Sequence, residues 1–175
     1  MIKMNKGWRE HVVSGGIFTI LRIWLGVKWL TSGWGKITAD EPFNPSGYFM
    51  GALAEANVTG DNPVVLPFWA WFLENIAVPN AELFGFLVSW GEVLVGLGLI
   101  IGCLTIPAIW GGMLMNMAFL LSGTTKTNPI MFTVGIILLW SSVAAWKYGA
   151  DRWIIPFLKS KFGKKNVSIV LKNAS

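Results

Sequence analysis

Long apolar runs separated by short turns constrain this chain more than any other feature. Residues 81–102, AELFGFLVSWGEVLVGLGLIIG, carry Glu82 and Glu92 as their only charges. A helix that crosses a bilayer takes about 20 predominantly apolar residues. Residues 106–122 and 130–147 are similar in character, and 16–35 is apolar apart from Arg22 and Lys28. A signal peptide's apolar region is short, uncharged and followed by a small-residue cleavage site. The first run is longer, charged and lacks an A-x-A ending, so it reads as a retained span. Cys103–Thr105 forms a minimal turn, and Pro107 falls in the first turn of the next helix, where its missing N–H costs little. Ser122–Pro129, SGTTKTNP, is a turn cluster. The expectation is an all-α fold: an antiparallel bundle of four transmembrane helices over 16–35, 81–102, 106–122 and 130–147.

Charge placement gives the direction. The net charge of +5 is concentrated at the ends, in Lys3, Lys6 and Arg9 and again in Lys159, Lys161, Lys164, Lys165 and Lys172. The middle holds Asp40, Glu41, Glu55, Asp61, Glu74 and Glu82. Retention of positive flanks in the cytoplasm produces this pattern. It predicts a multi-pass protein of the cell membrane with both termini cytoplasmic. The bilayer is the expected partner of the basic flanks, and no nucleic-acid partner is expected. A single membrane domain over 1–158 is followed by a basic cytoplasmic tail over 159–175.

Residues 40–79 contain Pro42, Pro45, Pro63, Pro67 and Pro79 and only two shorter apolar pieces, 47–56 and 64–78. The second is interrupted by Pro67 and carries Glu74. Its Phe68, Trp69, Trp71 and Phe72 suit a helix lying at the interface or dipping into it. An extracytoplasmic helical cap between the first and second spans is the expected result.

One cysteine, Cys103, and one histidine, His11, leave no ligand set for zinc, an iron–sulfur centre or a bis-His haem. No metal site and no covalently bound cofactor are expected. Chemistry is therefore sought among charged groups inside the spans. An ionised group at the bilayer centre costs roughly 3 kcal/mol or more, so it calls for a partner or a role. Arg22, Gly26, Trp29, Gly33 and Lys36 share one helical face, and so do Gly85, Ser89, Glu92 and Gly96. Small residues let helices approach closely in lipid. An Arg22–Glu92 pair is expected from their depths, with Lys28 as the alternative partner. The pair reads equally as interhelical glue or as part of a polar pocket, open to the outer face, for an anion or quinone headgroup. Trp29, Trp34, Lys28, Ser89 and Asn116 are the candidate pocket residues. Four thin helices that bury polar residues are also candidates for a homo-oligomer, although no motif specifies one.

Two runs resemble a known family. Leu21-Arg22-x3-Gly26-x6-Gly33-Trp34-x-Lys36 is similar to the first-span signature of DoxX/DoxD-like membrane proteins. Glu92-x3-Gly96-Leu97-x-Leu99-Ile100-x-Gly102-x-Leu104-Thr105 is similar to their second span and turn. Phe68–Glu92, with Pro79-Asn80-Ala81, resembles the DoxD-type branch. The likeness covers most of residues 17–150. Ile106-Pro107 departs from the basic or small residue usual after the Thr105 position. The resemblance implies a four-helix membrane fold and, for the thiosulfate:quinone oxidoreductase branch, electron transfer from a sulfur anion to quinone with an oxidoreductase partner subunit. On that reading Arg22 and Lys36 attract the anion, Glu92 orients Arg22 or relays a proton, and these three are the candidate catalytic residues. A non-catalytic membrane module, for assembly or for binding a small molecule or lipid, is the alternative.

Overall fold

The structure is a computed structural model and describes residues 12–54, 58–59, 63–141, 148–157 and 160–161. The described residues are helical with no strand. The first helix, α1, spans Val12–Ile37. Two short helices follow: α2, Ser46–Ala52, and α3, Pro67–Phe72, which widens into a π-type turn over Leu73–Ala77. The long helices α4, Ala81–Ile101, α5, Thr105–Leu121, and α6, Asn128–Ser141, complete the bundle. A last short helix, α7, covers 151–157.

Only α4 among the described residues is both long and apolar enough to cross a membrane, with 21 residues and a mean hydropathy of 2.0. The helices α5 and α6 are apolar but shorter, and residues 142–147 of the expected fourth span lie outside the described residues. So do the basic N-terminal residues, His11, and all of the expected 159–175 tail except 160–161.

Close approach of α1 and α4 sets the bundle's register. A Cβ on Gly96 would stand 2.5 Å from the Leu30 nitrogen, and one on Gly33 would stand 2.8 Å from Ser89 O and Val93 N. A Cβ on Gly26 would meet Gly96 O and Ile100 N at 3.0 Å. Three glycines thus hold the two backbones in contact, which any side chain would prevent. Around this seam Phe18, Leu25, Trp29, Val95, Leu99, Ile109, Met131 and Leu138 form one core.

The cap has a separate core of Phe49, Ala52, Val65, Ala70, Leu73, Ala77 and Ala81. Pro67 opens α3, where its ring suits the first helical position. Phe68 and Trp71 stay exposed, while Trp69 and Phe72 turn inward and stack at 4.8 Å.

The α4–α5 turn is made by backbone geometry. Gly102 closes α4 at φ 69°, and Cys103 N–H donates to Gly98 O at 2.9 Å, a Schellman closure. Leu104 follows at φ 51°, a conformation that costs a side-chain-bearing residue about 1–2 kcal/mol. Asp151 offsets this from the far end of the chain. Its two carboxylate oxygens accept from the N–H groups of Leu104 (2.7 Å) and Thr105 (2.8 Å), the first free donors of α5.

Candidate functional site

The α1–α4 register decides which charges meet. Gly33 faces Ser89, Glu92 and Val93, so Lys36, one turn further along α1, is the cation within reach of Glu92. Lys36 Nζ lies 2.5 Å from Glu92 Oε2. Glu92 is 1% exposed and Lys36 21%, and this is the only ion pair among the described residues. Lys36 also donates to Ser32 Oγ at 2.9 Å and lies 5.3 Å over the Phe43 ring.

Arg22 does not pair with Glu92. Helix α1 is already formed at Val12, before the expected start near 16, and its glycine contacts slide it along α4 relative to an end-to-end alignment. Arg22, one turn before Gly26, consequently faces the end of α4 instead of its middle. A Cβ on Gly102 would collide with Arg22 Nη1, and one on Gly149 would lie 3.0 Å from it. The guanidinium is 1% exposed, and its Nε and Nη1 have no hydrogen-bond partner. Its favourable charge partner is Asp151. The 149–151 segment is itself tied to α4, with Asp151 N–H donating to Gly102 O at 2.8 Å and Ala150 N–H to Ile101 O at 3.2 Å.

The remaining expected residues scatter. Lys28 is exposed, leans 6.0 Å over the Trp24 ring, and pairs with neither Glu92 nor any other described acid. Trp34 is exposed. Trp29 is buried, with its indole against Gly112 of α5. Asn116, one turn beyond Gly112, is buried with Oδ1 unpartnered. Ser89 is buried and donates to Gly85 O at 2.8 Å. Only Ser89 of this group joins Lys36 on the wall of a cleft of about 780 Å³, which Asp40, Glu41, Glu82 and Trp90 also line. The cleft exists because the 38–45 loop folds over the start of α4. Gly85 makes room for it, since a Cβ there would strike Phe43 O.

A second cavity, of about 460 Å³, lies on the opposite flank of α4, between the cap and α5. Phe84, Leu87 and Val88 line it from α4, whereas Glu82, Gly85 and Ser89 face the polar cleft. At 3.6 residues per turn these sets point in opposite directions. Two polar groups sit at its rim. Tyr48 donates to Phe119 O at 3.2 Å and shares a hydrogen bond with Thr124 Oγ1. Trp69 Nε1 donates to Ser122 Oγ at 2.8 Å, which donates in turn to Ala118 O at 2.9 Å.

Sequence reasoning missed Asp151 as a helix cap and the cavity behind Tyr48. A cap reaching back 46 residues leaves no local spacing signal, and the cavity's residues read individually as core. A family model for DoxX matches residues 17–125, which take in the glycine seam, the ion pair, the cap and all of α5. The chain belongs to the DoxX family. This family is membrane-associated, in keeping with the apolar α4. The match ends before α6 and Asp151. No curated protein and no solved structure matches the chain.

Proposed function

We propose that this DoxX protein crosses the cell membrane four times, by α1, α4, α5 and α6, with both termini cytoplasmic. We infer further that it is the membrane component of a quinone-linked oxidoreductase oxidising thiosulfate or a related sulfur anion. Support for the crossings comes from the side-by-side packing of these helices and from the basic ends of the chain. The observation that carries the catalytic reading is the Lys36–Glu92 pair, buried on one side and reached through a cleft on the other. Intramembrane ion pairs mark proton and substrate paths.

Quinone reduction takes up two electrons and two protons. With a single cysteine and a single histidine, the chain has no ligand set for a bis-His haem or an iron–sulfur relay. On this reading electrons pass directly to quinone from a reductant held against this chain by a partner subunit. Lys36 contributes proton exchange: it passes two protons to quinone in turn, each replaced from water through the cleft, and the Glu92 carboxylate holds the restored ammonium in place. The cleft carries Asp40, Glu41 and Glu82 against Lys36 as its one lining cation. This balance disfavours an anion, so binding of the sulfur anion falls to a partner subunit. Arg22 lies about 21 Å from Lys36 along α1 and takes no part in this site.

The test is quinone-analogue reduction by the protein in nanodiscs, with thiosulfate and with the products of neighbouring genes added. Removing one partner of a buried pair destabilises, whereas replacing both by apolar residues is often neutral. The Lys36→Met/Glu92→Leu double variant is therefore expected to fold and to lose turnover. Absence of quinone reduction by the wild-type protein with all partners present removes the proposal. Mutual neutralisation of Lys36 and Glu92 favours a second reading, a non-catalytic assembly or lipid-binding module. On that reading the double variant recovers partners as well as the wild type does, with no turnover to lose.

A further inference from the structure

The cavity behind Tyr48 is not needed for proton exchange at Lys36 and Glu92, and its chemistry is different. Its walls are apolar, with Phe72, Phe84, Met115 and Phe119 among them. The polar side chains at its edge are already committed. Tyr48 is bonded to Phe119 O and Thr124, and Ser122 accepts from Trp69 and donates to Ala118 O. An occupant with carbonyl or hydroxyl groups would find no free donor, and burying such groups without hydrogen bonds is unfavourable. A quinone ring, a sulfur anion and a lipid headgroup are all poor fits for that reason.

The way in is equally telling. The cap closes one end through Tyr48, Phe72 and Leu73, the end toward the outer aqueous side on the four-crossing reading. The mouth lies between α4 and α5, at Leu87, Leu114 and Met117, all exposed, with Leu114 at 74%. If α4 and α5 both span, these residues face acyl chains rather than water. A volume of about 460 Å³ falls within the usual range for ligand pockets, roughly 300–1,000 Å³.

We propose that this cavity is a binding site for one acyl chain of a bilayer phospholipid, which enters laterally between α4 and α5 and seats the cap on the bundle. The proposal rests on the four-crossing reading, because only then does the mouth open onto hydrocarbon.

The experiment uses the full chain in phosphatidylcholine nanodiscs containing a trace of phospholipid with a diazirine at the end of one acyl chain. Photolysis followed by peptide mapping is expected to label Met115 and Ala118 at least five-fold more than the exposed α4 residues Leu94 and Leu97. Ala118→Phe, which fills the cavity, is expected to abolish that excess while leaving Leu94 and Leu97 labelled. Val88→Phe fills the opposite wall and serves if Ala118→Phe does not fold. Uniform labelling of cavity and lipid-facing residues overturns the proposal. So does displacement of the label by a tail-less benzoquinone, which would show a ring site. Cys103, the only cysteine, separates failure of the site from failure of the topology. Labelling of Cys103 by an impermeant maleimide solely from the inner side, together with uniform photolabelling, refutes the site alone. Labelling from the outer side refutes the four-crossing reading with it.

Discussion

Arg22 and Lys36 are two cations on one face of one helix, fourteen residues apart, or about 21 Å along the axis. The fold uses them in opposite ways. Lys36 meets a carboxylate and keeps part of its surface in a cleft. Arg22 is enclosed against Gly102 and Gly149, with Nε and Nη1 making no hydrogen bond and no carboxylate at ion-pair distance among the described residues. The difference comes from what α4 offers at each level. Opposite Gly33 it is mid-helix and supplies Glu92. Opposite Arg22 it ends, offering terminal carbonyls whose partial negative charge favours a cation. The residue type does not decide the role; the register of the facing helix does.

The sharpest way to break this contrast is to remove Lys36. Lys36→Met leaves the Glu92 carboxylate buried without a partner, and a loss of about 3–5 kcal/mol is expected. The Lys36→Met/Glu92→Leu double variant should regain most of it. Thermal unfolding in nanodiscs reads both. A single variant as stable as the wild type would mean that Glu92 is not held as an anion by Lys36.

A smaller effect is expected at the Arg22 end. Gly102→Ala meets an unfavourable positive φ and a collision with Arg22 Nη1 together, about 2–3 kcal/mol. In an Arg22→Ala background the collision with the guanidinium disappears, while the positive φ and the approach of the new Cβ to Gly149 Cα, at 2.7 Å, persist, so the cost should fall by about 1 kcal/mol. A double-mutant cycle measures that coupling. Purely additive effects would place Arg22 away from Gly102.

Much of this arrangement was legible in the sequence. The shared face of Gly26, Trp29 and Gly33 follows from helical periodicity, and so does that of Ser89, Glu92 and Gly96. Close packing of these faces follows from glycine's lack of a Cβ. The pairing of charges was not legible, because it depends on an axial slide that periodicity leaves free. Aligning span ends put Arg22 near Glu92, whereas the glycine contacts put Lys36 there. Lys28 was the alternative partner by depth although a third of a turn off the Arg22 face, and that angular offset turns it outward. Asp151 was legible only as a charge closing the last span. Its role depends on the chain folding back to α5, which no local pattern encodes.

Asp151 allows a finer test of the Arg22 end. Asp151→Asn keeps one carbonyl oxygen and removes the charge, so one of the two N–H partners of α5 is lost. A destabilisation of about 1–2 kcal/mol is expected. Faster hydrogen exchange should be confined to the Leu104 and Thr105 amides. Unchanged exchange there would show that α5 starts without this cap.

Lys28 gives the smallest expected effect and tests the outward half of α1. Side chains on a helix lean toward its N-terminus, and Lys28 accordingly reaches back over Trp24, with its Nζ 6.0 Å from the ring centroid. On the four-crossing reading Lys28 lies about 10 Å from the outer end of the first span, so that direction points the ammonium toward the bilayer's middle, where the face of Trp24 is what it meets. Lys28→Gln removes that contact, worth about 0.5–1 kcal/mol, together with the cost of a charge in hydrocarbon, so the net loss should not exceed about 1 kcal/mol, against several for Lys36→Met. The two lysines are eight residues apart on one helix, so the comparison isolates orientation from chemistry. If Lys28→Gln proves as damaging as Lys36→Met, the outer face of α1 is covered in the membrane, and the covering partner supplies an acid to Lys28.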